Sequence, residues 1–250
     1  MLFREGAVMS TYTLLVAEDE PELLEIYRLW LERSGFKILP AKNGREALEL
    51  CHKQTVDLVI SDVRMADGGG IELARDLRVE MDSSPPLIFL TGYADISSAE
   101  AYELGACAIV GKPIDRQKLI AIVQNALKEP RERWAVAPAG PAQHVLRKNY
   151  QSVESAVQNR DLSLGRGGLF VHNSTELFNE DHPLEFDFQF NEGELQKING
   201  AGIVRWFRVS SERGMPPGLG IEIVHLLQPA LQWIAELIGR RKPRAFIPMQ

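Results

Sequence analysis

The feature that most constrains this chain is an alternation running through residues 14–128, in which short apolar runs are separated by amphipathic stretches. Leu14-Leu15-Val16-Ala17, Asp57-Leu58-Val59-Ile60, Leu87-Ile88-Phe89-Leu90 and Ala108-Ile109-Val110 are each too short for a buried helix. Each is bounded by polar, Gly or Pro residues, so they read as parallel strands buried on both faces. Lys37–Ala41 reads as a fifth. Between them, Glu22–Ser34 places Leu23, Ile26, Tyr27, Trp30 and Leu31 on one helical face and stops at Gly35. Ile71–Met81, Ile96–Leu104, Asp115–Lys128 and the shorter Arg45–Cys51 behave alike. Five strands alternating with five helices imply an α/β fold with a doubly wound, five-stranded parallel sheet. Polar chemistry in such sheets gathers at the carboxyl ends of the strands.

The second half changes period. Residues 129–143 carry three prolines among small residues and read as a linker. Leu146, Tyr150, Val153 and Val157 then recur at helical spacing, which suggests a short helix over 141–158 with Pro141 in its first turn; two short strands are the alternative. Leu184–Phe190 alternates apolar and polar, as does Ile203–Val209 less strictly, with Gly-rich breaks around both. This is an antiparallel β pattern. Pro229–Ile238 closes it with a helical stripe of Ala230, Leu231, Ile234, Leu237 and Ile238.

Charge narrows the partners. Residues 1–128 hold 14 Lys+Arg against 20 Asp+Glu, whereas residues 129–250 hold 14 against 14. An acidic first half and a neutral second half argue against general capture of nucleic acid. The dense basic cluster Arg240, Arg241, Lys242 and Arg244 reads as a cap on the last helix. No apolar run approaches the ~20 residues that span a bilayer. Met1–Ser10 does not resemble a secretory signal, so the cytoplasm is the expected compartment. Cys51 and Cys107 lack any metal-ligand spacing and read as buried reduced thiols.

The strand ends of the first half carry a specific set of side chains. Glu18 and Asp19 follow the first strand, Asp62 the third, Thr91 the fourth and Lys112 the fifth. Taken singly, each has a bland reading: a helix cap, an exposed turn lysine before Pro113, an ordinary Thr-Gly turn. Their joint occurrence favours a site. Clustered carboxylates repel one another unless a cation is present, and Mg²⁺ suits them because it prefers hard oxygen ligands. A metal beside Asp62 neutralises charge developing on a transferring phosphoryl group. Lys112 can then pair with Asp62 or with a phosphoryl oxygen, and Thr91 can donate its hydroxyl to another.

The residues LLVAEDE (14–20), DLVISDVRM (57–65), LIFLTGYAD (87–95) and IVGKPID (109–115) make the first part resemble the receiver domain of two-component response regulators, over residues 11–129. That resemblance implies that Asp62 is the phosphoacceptor and a histidine kinase its phosphodonor. It implies that Glu18, Asp19, Asp62 and the backbone carbonyl of Arg64 bind Mg²⁺. Thr91 and Lys112 match the family's switch hydroxyl and paired lysine. Two positions depart from the pattern. Ala66 stands where the family usually has Pro, and Ile109 where it usually has Tyr or Phe, so the customary aromatic rotation cannot operate in the same way.

RDLSLGRGGLFV (160–171), the alternating run 184–190, INGAGIVRWFRV (198–209) and PPGLGIEI (216–223) make the second part resemble a divergent PilZ-type domain. The implied layout is a linker at 130–144, a small antiparallel β-barrel with a terminal helix over 145–240, and a tail at 241–250. Ligand-binding members of that family recognise cyclic di-GMP through an RxxxR stretch and a D/N-x-S-x-x-G turn. Arg160, Asp161, Ser163 and Gly168 are the candidates here, but Arg166 occupies the turn's glycine position and no upstream RxxxR exists. The expected output is therefore contact with an unidentified downstream protein, with homodimerisation as one route; a cyclic di-GMP receptor is the alternative. An enzyme is not expected. Arg64 stands where an aspartyl-phosphate phosphatase would place its second acid, and Glu18-Asp19-Glu20-Pro21 stands where a dinucleotide site would place glycines. No DNA-binding helix-turn-helix is recognisable.

Overall fold

The structure is a computed structural model, and it describes residues 12–81, 84–92, 95–140, 144–174, 178–211, 216–241 and 245–248. In the first part the elements alternate: β1 (Thr13–Ala17), α1 (Pro21–Glu32), β2 (Lys37–Ala41), α2 (Gly44–Lys53), β3 (Leu58–Asp62), α3 (Gly70–Glu80), β4 (Leu87–Thr91), α4 (Ser98–Glu103), β5 (Ala106–Gly111) and α5 (Arg116–Ala126). The strands form one parallel sheet in the order β2-β1-β3-β4-β5, as the apolar runs imply. Successive strand residues point to opposite faces, so one strand feeds two cores. Leu14 and Val16 pack with Leu24, Tyr27, Leu31, Leu119 and Val123 under α1 and α5. Leu15 and Ala17 pack with Ala47, Leu73 and Leu77 under α2 and α3.

Local chemistry starts these helices where they start. Pro21 opens α1, where a missing N–H costs nothing. Asn43, Ser97 and Asp115 cap α2, α4 and α5 by accepting the Glu46, Glu100 and Lys118 backbone N–H groups. The buried stripe of α1 is Leu24, Tyr27 and Leu31, rotated from the expected face, and Ile26 is 39% exposed. Both stripes keep 3–4 spacing; packing against β1 and β3 selects between them.

The second part comprises α6 (Pro130–Arg133), β6 (Val145–Tyr150), α7 (Val153–Gln158), β7 (Leu162–Leu164), β8 (Gly168–His172), β9 (His182–Phe190), β10 (Lys197–Arg208), β11 (Gly218–Leu226) and α8 (Ala230–Arg241). Its six strands run in the order β6-β9-β10-β11-β8-β7. Four of the pairings are antiparallel, but β6 runs parallel to β9 and the outer strands β6 and β7 are not paired to each other. The expected closed antiparallel barrel is thus an open mixed sheet. α7 connects the two edge strands and contacts both, with Val153 and Ala156 buried in the same core as Phe186, Phe188 and Ile234. The proposed helix over 141–158 is half strand and half helix, because the strand's inward residues and the helix's inward residues together mimic one helical spacing; Pro141 lies outside the described residues.

Two segments expected to be peripheral are built in. Trp134, in the Pro-rich stretch, is fully buried in the second core, and its carbonyl accepts the Leu226 N–H at 3.0 Å. Ala245–Ile247, expected in the tail, is also buried. The Ala245 and Phe246 carbonyls accept N–H groups of Arg166 and Gly167 at 3.0 Å each, and the Phe246 N–H donates to the Tyr102 carbonyl of α4 at 3.0 Å. The Phe246 ring stacks on Tyr102 at 6.1 Å, and Phe170, Trp206 and Ile247 join the core that holds α1 and α5. Among the described residues, no helix is long and apolar enough to cross a membrane.

Candidate functional site

Parallel pairing places the ends of β1, β3, β4 and β5 along one edge, with Ala17 beside Ser61, Asp62 beside Leu90 and Thr91 beside Gly111. Glu18 and Asp19 leave β1 there, Asp62 ends β3, Thr91 ends β4, and Lys112 follows β5. β1 and β3 are neighbours at the point where the strand order reverses, which is where open α/β sheets form their crevice. The site needs a close backbone approach: a Cβ on Gly70, the first residue of α3, would overlap the Asp62 carbonyl.

Three carboxylates meet here. One oxygen each of Glu18, Asp19 and Asp62 lies within 4.8 Å of the others. Glu18 is fully buried and Asp62 is 6% exposed. Lys112 Nζ donates to Glu18 Oε2 and Asp62 Oδ2, both at 2.9 Å. Asp19 Oδ2 accepts the Ala66 N–H at 2.9 Å, which ties the loop after β3 to the end of β1.

Burial is the largest influence on Glu18 and holds its carboxyl above the usual range; the Lys112 hydrogen bond opposes this and the Asp62 charge adds to it. Burial alone would lower the Lys112 pKa, but its hydrogen bonds to Asp62 and Glu18 outweigh that and raise it. The ammonium therefore stays charged, and one cation faces three acidic groups. Hard oxygen donors in charge excess suit a divalent cation such as Mg²⁺.

Not every expected residue converges in the same way. The Thr91 hydroxyl is not paired with Asp62; it lies 2.8 Å from the Gly92 carbonyl and 3.2 Å from Asp95 Oδ2. The Arg64 side chain, 73% exposed, pairs through Nε with Asp95 Oδ1 at 2.5 Å. Ile109 lies on β5, packs against both cores of the first sheet, and lines a cleft of about 570 Å³ shared with Arg205, Glu222 and Phe246. Asp95 was missed by sequence reasoning, although an acidic residue shortly after a Thr-Gly pair is a recognisable sign of a side chain bonding back to the turn.

The nucleotide candidates lie on or just before the paired strands β7 and β8. Arg160 is exposed with φ of 60°. Asp161 accepts the His172 N–H through its backbone carbonyl, and the Ser163 hydroxyl meets His172 Nε2 at 3.2 Å. Gly168 is buried within β8, where a Cβ would overlap the Ile221 carbonyl. Arg166 turns to the first part of the chain, donating to the carbonyls of Ser84 at 3.2 Å and Gly105 at 2.8 Å.

Comparison with known proteins agrees with this edge. Residues 14–124 match the response regulator receiver domain model. The chain is 32% identical to the transcriptional regulatory protein AruR of Pseudomonas aeruginosa over 185 residues, covering 69% of this chain and 74% of that one. It is 33% identical to the transcriptional regulatory protein GlrR of Escherichia coli over 129 residues, half of this chain but 29% of GlrR. Among solved structures, the response regulator protein TrrA of Thermotoga maritima, in complex with Mg²⁺ and BeF, matches at 30% identity and a TM-score of 0.43, covering 47% of this chain and all of that one. With its receiver domain at residues 14–124 and a relative aligned over most of both chains, the protein belongs to the response regulators of two-component systems.

Proposed function

We propose that Asp62 accepts a phosphoryl group from a histidine kinase phosphohistidine and that the second sheet passes the resulting change to a protein partner. The observation that carries this reading is the Lys112 ammonium, 2.9 Å from both Asp62 and Glu18, within a cluster of three carboxylates. In the transfer, an Asp62 carboxylate oxygen bonds to phosphorus as the P–N bond to imidazole breaks. Lys112 is placed to stabilise the added charge on the phosphoryl oxygens. Glu18, Asp19, Asp62 and the Arg64 backbone carbonyl would hold Mg²⁺, which supplies charge neutralisation at the transferring group. Positioning and electrostatics are the protein's whole contribution, and no general base is required.

Output through a protein contact is supported by the joint between the two parts. Arg166, Phe246 and Tyr102 attach the second sheet to α4 and to the loop before β5, so a shift of that face is felt directly beyond the receiver. The PilZ-like resemblance is kept for the second sheet, with the arginine at its glycine position serving the joint instead of a ligand. Labelling with acetyl phosphate and Mg²⁺ tests the phosphoacceptor: the chain should be labelled and Asp62→Asn should not. Equal labelling of the two would overturn the assignment.

A further inference from the structure

Resting on that reading, we infer that Asp95 is a positioning residue that competes with the phosphoryl group for the Thr91 hydroxyl and so sets how readily the receiver switches. Thr91 has one hydroxyl proton. It lies between the Gly92 carbonyl at 2.8 Å and Asp95 Oδ2 at 3.2 Å, and both acceptors are in its own turn. To reach an oxygen on phosphorylated Asp62, the hydroxyl must leave both.

Asp95 is well placed to resist that move. Its side chain is 8% exposed, so its charge is largely removed from water. The same Oδ2 accepts the Gly92 N–H at 2.7 Å, which fixes the turn that carries Thr91. Its other oxygen pairs with Arg64 Nε at 2.5 Å, and Arg64 stands two residues after Asp62. The carboxylate thus ties the loop after β3 to the loop after β4. A charged acceptor forms hydrogen bonds roughly twice as strong as a neutral one. Asp95→Asn keeps the shape, weakens the hold on Thr91 and discharges the link to Arg64. A neutral side chain at 95 therefore favours the arrangement in which Thr91 faces Asp62.

Beryllofluoride with Mg²⁺ mimics a phosphoryl group on aspartate, and calorimetric titration of the full chain reads the balance. Asp95→Asn should bind it about five times more tightly than the unsubstituted chain, and Asp95→Ala at least as tightly as Asp95→Asn. On a Thr91→Val background the same substitutions should give no gain, which a merely structural role for Asp95 would not produce. Equal or weaker binding by Asp95→Asn, or a gain that persists without the Thr91 hydroxyl, overturns the inference. If the unsubstituted chain takes up no beryllofluoride in Mg²⁺, the phosphoacceptor reading itself has failed instead.

Discussion

Arg166 donates a 2.8 Å hydrogen bond to the carbonyl of Gly105, joining the loop between β7 and β8 to the turn before β5. Burial lowers the pKa of this guanidinium, the expected penalty for a cation surrounded by carbonyls. Gly167 follows it, and a Cβ there would collide with the Phe246 ring. Gly167→Ala should therefore expel Phe246 from between the two parts while leaving both sheets folded. Amide exchange should quicken at Phe246 and around Tyr102, with little change in the β1 and β3 amides. Unchanged protection at Phe246 would show that the ring is held by something else.

Lys112 is the counter-ion of a crowded acidic group. Lys112→Ala should lower stability by about 3 kcal/mol in metal-free buffer, since it strands a fully buried Glu18 beside Asp62. Millimolar Mg²⁺ should recover much of that loss, because a bound cation replaces the missing charge. Thermal unfolding with and without chelator measures both; a deficit unaffected by Mg²⁺ would mean that the metal binds elsewhere.

The raised Glu18 pKa has a definite sign. Its folded value lies above the ordinary 4.5, so the contribution that favours folding is fully present below pH 4.5 and is lost as pH rises through the folded value. In chelator at neutral pH, Glu18→Gln should be at least as stable as the unsubstituted chain, and that advantage should vanish as pH falls below 4.5. In Mg²⁺ the order should reverse, since only the carboxylate gains from the cation. Urea titrations at three pH values decide this.

Trp134 is the largest fully buried side chain described. Trp134→Ala should cost about 3–5 kcal/mol in the second sheet's unfolding, seen as an earlier urea transition, while the receiver's own transition stays where it is. A shift of the receiver transition by the same amount would mean that the two parts unfold together.

The receiver was legible because two independent signals coincide there: apolar runs of strand length, and rare side chains falling at each strand's end. The rotation of α1 was not, because Leu23 and Leu24 both satisfy helical spacing and only the neighbouring strands choose between them. β6 and α7 were misread for a similar reason. Leu146, Tyr150, Val153 and Val157 lie at spacings of 4, 3 and 4 across a strand, a turn and a helix, so the period is accidental. Trp134 and Phe246 are lone aromatics in Pro-rich or basic surroundings, where no local pattern announces burial. Asp95 acts through a turn, and turns leave no periodic trace.

The parallel pairing of β6 with β9 leaves the two rims of the second sheet at opposite ends of one row of strands. Unfilled rims of this kind invite a passing chain to add a strand of its own. Because α7 is the tether between those rims and its inward side is already packed into the core, the protein shields them with a piece of itself. Growth of this sheet into larger aggregates would first require prying that short helix away.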